Sequence, residues 1–264
     1  MALKNILVHL DHLPQSPERF DLALAVARKQ QAVLTGYYAT ASPYFSLGAE
    51  SRLREENRSQ CLAKAGQVGV RLDWVENDGA QAGLSLVSRV NQRAIYADLT
   101  VVGQPSTESG SPPRAPRDLP ERLILASGRP VLTVPFAGTF RRVGERVMVA
   151  WKAGRASSRA VADALPFLTH ADAVILVSFA ATPEEIGADE RSLDELRRYL
   201  LYHGVEALTE QRQISGIGLG DALLNRVAEE GIDLLVAGGM LPKQQGPMAN
   251  HILQHMTVPV LMSC

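Results

Sequence analysis

Two tandem α/β domains, each a Rossmann-like, doubly wound, five-stranded parallel sheet and the pair related by a pseudo-twofold axis, are the architecture that this sequence predicts. Three observations lead there. The chain has 264 residues, enough for two ordinary domains. It repeats itself once along its length. Within each repeat, short and nearly unbroken apolar segments alternate with helical patterns, which calls for a parallel sheet covered on both faces.

The repeat is read from matched segments in fixed order. Ile6-Leu7-Val8 matches Val147-Met148-Val149, and Ala32-Val33-Leu34 matches Ala173-Val174-Ile175, both at an offset of 141. Ser16 and Ala23 meet Ser157 and Ala164 at the same offset. Ala97 to Gly103 matches Ile232 to Gly238 at 135, and Pro130-Val131-Leu132 matches Pro259-Val260-Leu261 at 129. The order is kept while the offset falls twice, the mark of a duplication with two short deletions in the second copy. The period is far too long for a solenoid, so each copy is a whole domain. The boundaries are 1–140 and 145–264, with the join near Gly138 to Glu145.

Copy one opens with a buried strand, Asn5 to Leu10. Ser16 followed by Pro17 reads as an N-cap with Pro at the first helical position, and Phe20, Leu22, Leu24 and Ala27 supply the apolar face. A strand (32–39), a helix (50–68) and a strand (71–76) follow. A helix (82–95), a strand (99–102), a helix from Asp118 and a strand (131–134) complete the copy. Copy two repeats the series, with strands near 147–151, 173–180, 205–211, 233–237 and 259–263. The last strand of each copy is short and apolar and would otherwise be an open edge.

Composition narrows the function classes. The chain is 46% apolar and 21% charged, a globular balance. A net charge of −1 gives no basic field for nucleic acid or an anionic membrane. Apolar runs are strand-sized, short of a membrane span, and MALKNILVHLD runs straight into a strand with no signal-peptide pattern. Cys61 and Cys264 are too few for a disulfide framework or a zinc site. A soluble cytoplasmic protein is the expectation.

In an open parallel sheet, ligands bind beyond the carboxyl ends of the strands where strand order reverses. Here reversal is expected between the first and fourth strands. Those ends are Leu10-Asp11-His12 and Gly103-Gln104-Pro105 in copy one, and Trp151-Lys152-Ala153 and Gly238-Gly239-Met240 in copy two.

KNILVHLD, the spaced S-x-x-x-x-x-x-A-L-x-x-A, ADLTVVG and SGRPVLTVP, with GIDLLVAGG and HMTVPVLMS in copy two, resemble the universal stress protein family in its tandem form. The resemblance covers nearly the whole chain twice. It implies that Val131 to Val134 and Val260 to Met262 join the two domains as an intramolecular pseudo-dimer, with a homodimer of the whole chain as a further expectation. Nucleotide-binding members place an aspartate at the end of the first strand for the ribose. Their loop after the fourth strand reads G-x-x-G, nine residues, then G-[S/T] at a helix N-terminus, where free N–H groups receive phosphate. The resemblance thus puts Asp11, His12, Tyr38 and Gly103 at the copy-one site, with Tyr38 where adenine sits. In copy two it marks Lys152, Gly238, Gly239 and Gly246.

Both copies depart from that pattern. In copy one the second glycine is Ser106 and the G-[S/T] pair is Arg117-Asp118, where Asp118 caps the helix with a carboxylate in place of phosphate. In copy two Leu241 replaces the second glycine, Gly246-Pro247 stands for G-[S/T], and Lys152 replaces the ribose aspartate. Each missing hydrogen bond to a charged group is worth about 1.5–3 kcal/mol, so weak or absent ATP binding is expected. What remains is a split preference, uncharged nucleoside-like or sugar hydroxyl groups at copy one and small anions at copy two, with a weakly held ATP, AMP or adenosine-like ligand as the cofactor expectation; the alternative is that both clefts are vestigial and filled by side chains.

Other patterns read as structure. Gly216 to Gly220 has the wrong spacing and place for a dinucleotide loop and reads as a turn before a helix capped near Asp221. His251 and His255 lie i,i+4, but no acidic residue or cysteine nearby in the sequence completes a metal site. His9 reads as a buried core imidazole, Trp74 as packing, and Cys61 as a small apolar group. Two function classes follow: a non-enzymatic stress-response binding or signalling protein with degenerate adenine-nucleotide sites, which is favoured, and a nucleotide-dependent hydrolase or transferase on the same scaffold. Neither copy carries a P-loop, and only Asp11 and His12 stand where a hydrolase would need them. No protein partner can be named from sequence, and no metal is called for.

Overall fold

The computed structural model describes residues 2–40, 47–76, 83–104, 116, 118–180, 182–214, 218–239 and 247–264. It divides into two compact units, Ala2–Arg141 and Arg142–Cys264. The first contains β1 (Asn5–Leu10), α1 (Ser16–Gln30), β2 (Val33–Tyr38), α2 (Leu47–Val68), β3 (Leu72–Glu76), α3 (Leu86–Ala94), β4 (Leu99–Gly103), α4 (Leu119–Ser127) and β5 (Val131–Val134). The second contains β6 (Arg146–Ala150), α5 (Arg155–Leu168), β7 (Ala173–Ala180), α6 (Pro183–Tyr202), β8 (Leu208–Gln213), α7 (Leu219–Glu229), β9 (Leu234–Gly238), α8 (Pro247–His255) and β10 (Val260–Ser263).

Within the first unit the strand order is β3-β2-β1-β4-β5, and within the second it is β8-β7-β6-β9-β10. All of these neighbours pair in parallel. Strand order therefore reverses between the first and fourth strands of each unit, where the ligand crevice of a doubly wound sheet lies. The register repeats as well: Ile6 pairs with Leu99 as Val147 pairs with Leu234. The inner strands are buried on both faces, with Ile6, Leu7, Val8, Leu99, Val101, Val102, Val147, Met148, Leu234 and Leu235 at most 2% exposed. The outermost strands β3 and β8 carry no fully buried residue, because they have a neighbour on one side only.

Each unit pins the start of its first strand in the same way. The Asp98 carboxylate accepts the Lys4 and Asn5 amides at 2.8 and 3.0 Å. Asp233 accepts those of Gly144, Glu145 and Arg146 at 2.8, 3.1 and 3.2 Å. The shared aspartate of the ADL and IDL segments is thus a clamp on backbone donors that the sheet leaves unpaired.

Several local expectations change. Ser16 is the first residue of α1, not its cap. Gln15 holds the N-cap position without a side-chain bond, and the Ser16 hydroxyl accepts the Asp11 amide at 3.1 Å. Asp118 stands at the N-cap of α4 but makes no capping bond, and its carboxylate reaches Arg122 at 3.7 Å. Gly218 precedes α7, and Asp221 bonds His251 rather than capping. β8 starts at Leu208 rather than 205, because the Val205 amide bonds back to Leu200 and closes the end of α6. Among the described residues no helix is long and apolar enough to cross a membrane.

Candidate functional site

The end of β1 delivers Asp11 to the crevice of the first unit, but Asp11 is only 4% exposed. Its Oδ2 meets the Arg19 guanidinium at 3.2 Å, and its Oδ1 accepts the Leu13 amide at 3.0 Å. Arg19 rises from the first turn of α1 and is also 4% exposed. Its guanidinium donates to the Ser16 hydroxyl at 3.3 Å. A side chain placed on Gly103, at the end of β4, would collide with the same guanidinium. The space between Asp11 and Gly103, where a ribose and the first phosphate would lie, therefore holds the chain's own arginine.

The electrostatics follow from that contact. Burial by itself would raise the Asp11 carboxyl, but the Arg19 guanidinium and the Leu13 amide hold it below its ordinary value. His9, fully enclosed, bonds the Ala39 carbonyl oxygen through Nε2 at 2.8 Å. Burial first, and the Arg19 charge second, bring its pKa down to about 4, so the imidazole is neutral at pH 7. Tyr38 ends β2 as expected, yet it is 3% exposed and its ring stacks on Trp74 with centroids 6.2 Å apart. The ring expected beside adenine is thus buried and packed next to an indole. His12 is half-buried at the mouth of the crevice.

The second unit builds the same place differently. The residues matching Asp11 and Arg19 are Lys152 and Ala160, so the ion pair is absent as a unit. Lys152 is exposed and makes no ion pair among the described residues. A side chain on Gly238 would lie 2.8 Å from the Ser157 amide nitrogen and 3.0 Å from the Ala156 carbonyl carbon. This glycine lets β9 pack against the first turn of α5, and that turn fills the room expected for a ligand's backbone approach. The Gly239 amide donates to the Ser263 carbonyl at 2.6 Å and is committed to the sheet. Beside them lies a cleft of about 100 Å³ bounded by Lys152, Ser157, Val177, Phe179, Leu223 and Met248.

Ser106, Arg117, Gly216, Ile217, Leu241 and Gly246 lie outside the described residues, and with them most of the loops that follow β4 and β9. His251 and His255 stack with ring centroids 4.3 Å apart, and Asp221, distant in sequence, bonds His251 at 2.8 Å. The expectation of no acidic neighbour is corrected by the packing of α7 on α8. Even so, no group of three or more candidate ligands for a metal occurs among the described residues.

The residue that sequence reasoning missed is Arg19. A signal was present: Arg19, Ala23 and Ala27 fall at i, i+4 and i+8 on the face of α1 that is buried. A cation in that stripe requires a buried anion, and Asp11, at the end of the buried first strand, supplies it, whereas the nearer Glu18 and Asp21 are only half-buried.

No protein-family model and no curated protein matches the sequence. Solved structures do match over nearly the whole chain. A universal stress protein from Archaeoglobus fulgidus DSM 4304 is similar with a TM-score of 0.74 at 14% identity, over 97% of each chain. A structure described as a putative universal stress protein from Pseudomonas aeruginosa UCBPP-PA14 is similar at 0.64 and 15%, over 98% of this chain and 92% of that one. The cytoplasmic domain of a prokaryotic cation chloride cotransporter is similar at 0.51 and 12%, over 98% and 94%. These likenesses show that the chain has the universal stress protein fold in its two-domain length.

Proposed function

We propose that this chain is a non-enzymatic, stress-response binding or signalling protein of the universal stress class, and that both of its adenine-nucleotide sites are degenerate. One observation carries the reading: the Arg19 guanidinium sits on Asp11 and against Gly103, in the place of the ligand. A ribose hydroxyl approaching Asp11 would have to displace a buried ion pair, which costs about 3–5 kcal/mol when one partner is left uncompensated. Lys152 supports the same reading for the second unit, since an ammonium has no lone pair for a ribose hydroxyl to bond.

The alternative is a nucleotide-dependent hydrolase or transferase. A hydrolase would draw its base from Asp11 or His12, but a carboxylate locked to a guanidinium and held below its ordinary pKa is a poor proton acceptor. Isothermal calorimetry with ATP, ADP, AMP and adenosine, with and without magnesium, tests the reading. Dissociation constants of about a millimolar or weaker are expected, and a submicromolar ATP site would overturn it. Phosphate release from ATP above that of buffer would favour the enzyme instead.

A further inference from the structure

The crevice of the second unit has a property that a nucleotide site would not use: its floor is apolar. Val177 and Phe179 point into it from one face of β7, while Ser178 between them points to the opposite face and bonds Asp189 of α6 at 2.7 Å. Leu223 of α7 and Met248 of α8 close the sides. Phe179 and Met248 are only half-buried, so apolar surface is left facing the opening.

The rim is polar and positive. Lys152 is exposed, and neither its ammonium nor the Ser157 hydroxyl makes a hydrogen bond or ion pair among the described residues. α5 starts directly behind them, at Gly154, with no side chain capping its first turn. The helix N-terminus therefore adds partial positive charge near the opening. At about 100 Å³ the cleft is well below the roughly 300–1,000 Å³ of sites that enclose drug-sized ligands. A nucleotide does not fit inside it, whereas a tail of a few carbons does.

We propose that the second unit binds a short-chain aliphatic carboxylate, its hydrocarbon tail against the half-buried Phe179, Leu219 and Met248 and its carboxylate at Lys152. Charge and shape agree: a cation with no ion-pair partner among the described residues lines an apolar pocket, and a small amphipathic anion satisfies both. The proposal goes beyond the reading above and stands or falls separately from it.

The test titrates the intact chain, ¹³C-labelled at its methionine methyls, with sodium acetate, butyrate and octanoate at fixed ionic strength. Butyrate is expected to bind roughly fifteen-fold tighter than acetate, about four-fold for each added methylene. Octanoate, too long for the pocket, gains nothing further. The Met248 methyl resonance moves with butyrate, Lys152→Gln weakens butyrate about ten-fold, and neutral butyramide shows no saturable binding. Equal affinity for acetate and butyrate, a Met248 methyl that does not move, or undiminished binding by Lys152→Gln would each overturn the proposal. Lys152 is exposed, so that variant does not disturb the core. A tight ATP site alongside the expected butyrate series would overturn the degenerate-site reading and leave this one standing. A flat series with no ATP binding would do the reverse.

Discussion

Arg19 and Asp11 form a pair whose members are each costly alone. Removing one leaves the other charge buried and uncompensated, so Arg19→Ala and Asp11→Ala should each destabilise by about 3–5 kcal/mol. The double variant should cost less than the sum of the singles, because neither charge is then stranded. Urea denaturation of the four proteins measures this, and strict additivity would mean that the two side chains do not act as a unit. His9 makes a separate claim in pH. Its folded pKa, about 4, lies below the ordinary value of 6.5, so between these values the unfolded chain holds a proton that the folded protein lacks. Stability is therefore full above pH 6.5 and falls as pH drops toward 4. Between pH 6.5 and 5 the loss should be about 2 kcal/mol, and His9→Gln, which keeps a donor for the Ala39 carbonyl, should flatten that slope. The depressed Asp11 carboxyl adds a second loss at lower pH, as acid passes through its folded value.

At the scale of elements, the two units share their devices where backbone is concerned and diverge where side chains meet a ligand. Asp98 and Asp233 hold the same place and the same job. Asp98→Ala should cost about 1–2 kcal/mol and Asp233→Ala more, since Asp233 takes three amides rather than two. Thermal denaturation would show it, and a neutral Asp233→Ala would remove the clamp from the account. Gly103 and Gly238 also hold one place but serve different neighbours, a guanidinium in one unit and the α5 backbone in the other. The amphipathic stripe of α1 was readable as a helix face. That Ser16 serves Asp11 and Arg19 rather than the helix end was not, because a serine before proline fits either geometry, and the choice rests on where the strand β1 delivers its last amide.

For the molecule as a whole, the expectation is a protein that carries no tightly held nucleotide. The purified chain, denatured and its supernatant examined by ultraviolet absorbance and anion-exchange chromatography, should release less than roughly a tenth of an adenine nucleotide per chain, as millimolar affinity implies. Stoichiometric AMP or ATP would show that Arg19 yields to a ligand. By itself the sequence determined the duplication, the alternation of strand and helix, and the crevice at the ends of β1, β4, β6 and β9. Those follow from apolar periodicity and repeat order, which are local or linear properties. It also marked Lys152 as a cation where a carboxylate was expected. Only the tertiary structure decided that Asp11 is taken by Arg19, that Tyr38 is buried beside Trp74, that Asp221 reaches His251, and that the crevice of the second unit is small and apolar. Each of these is a meeting of side chains from separate elements, and their packing in three dimensions, not their spacing along the chain, sets which groups touch.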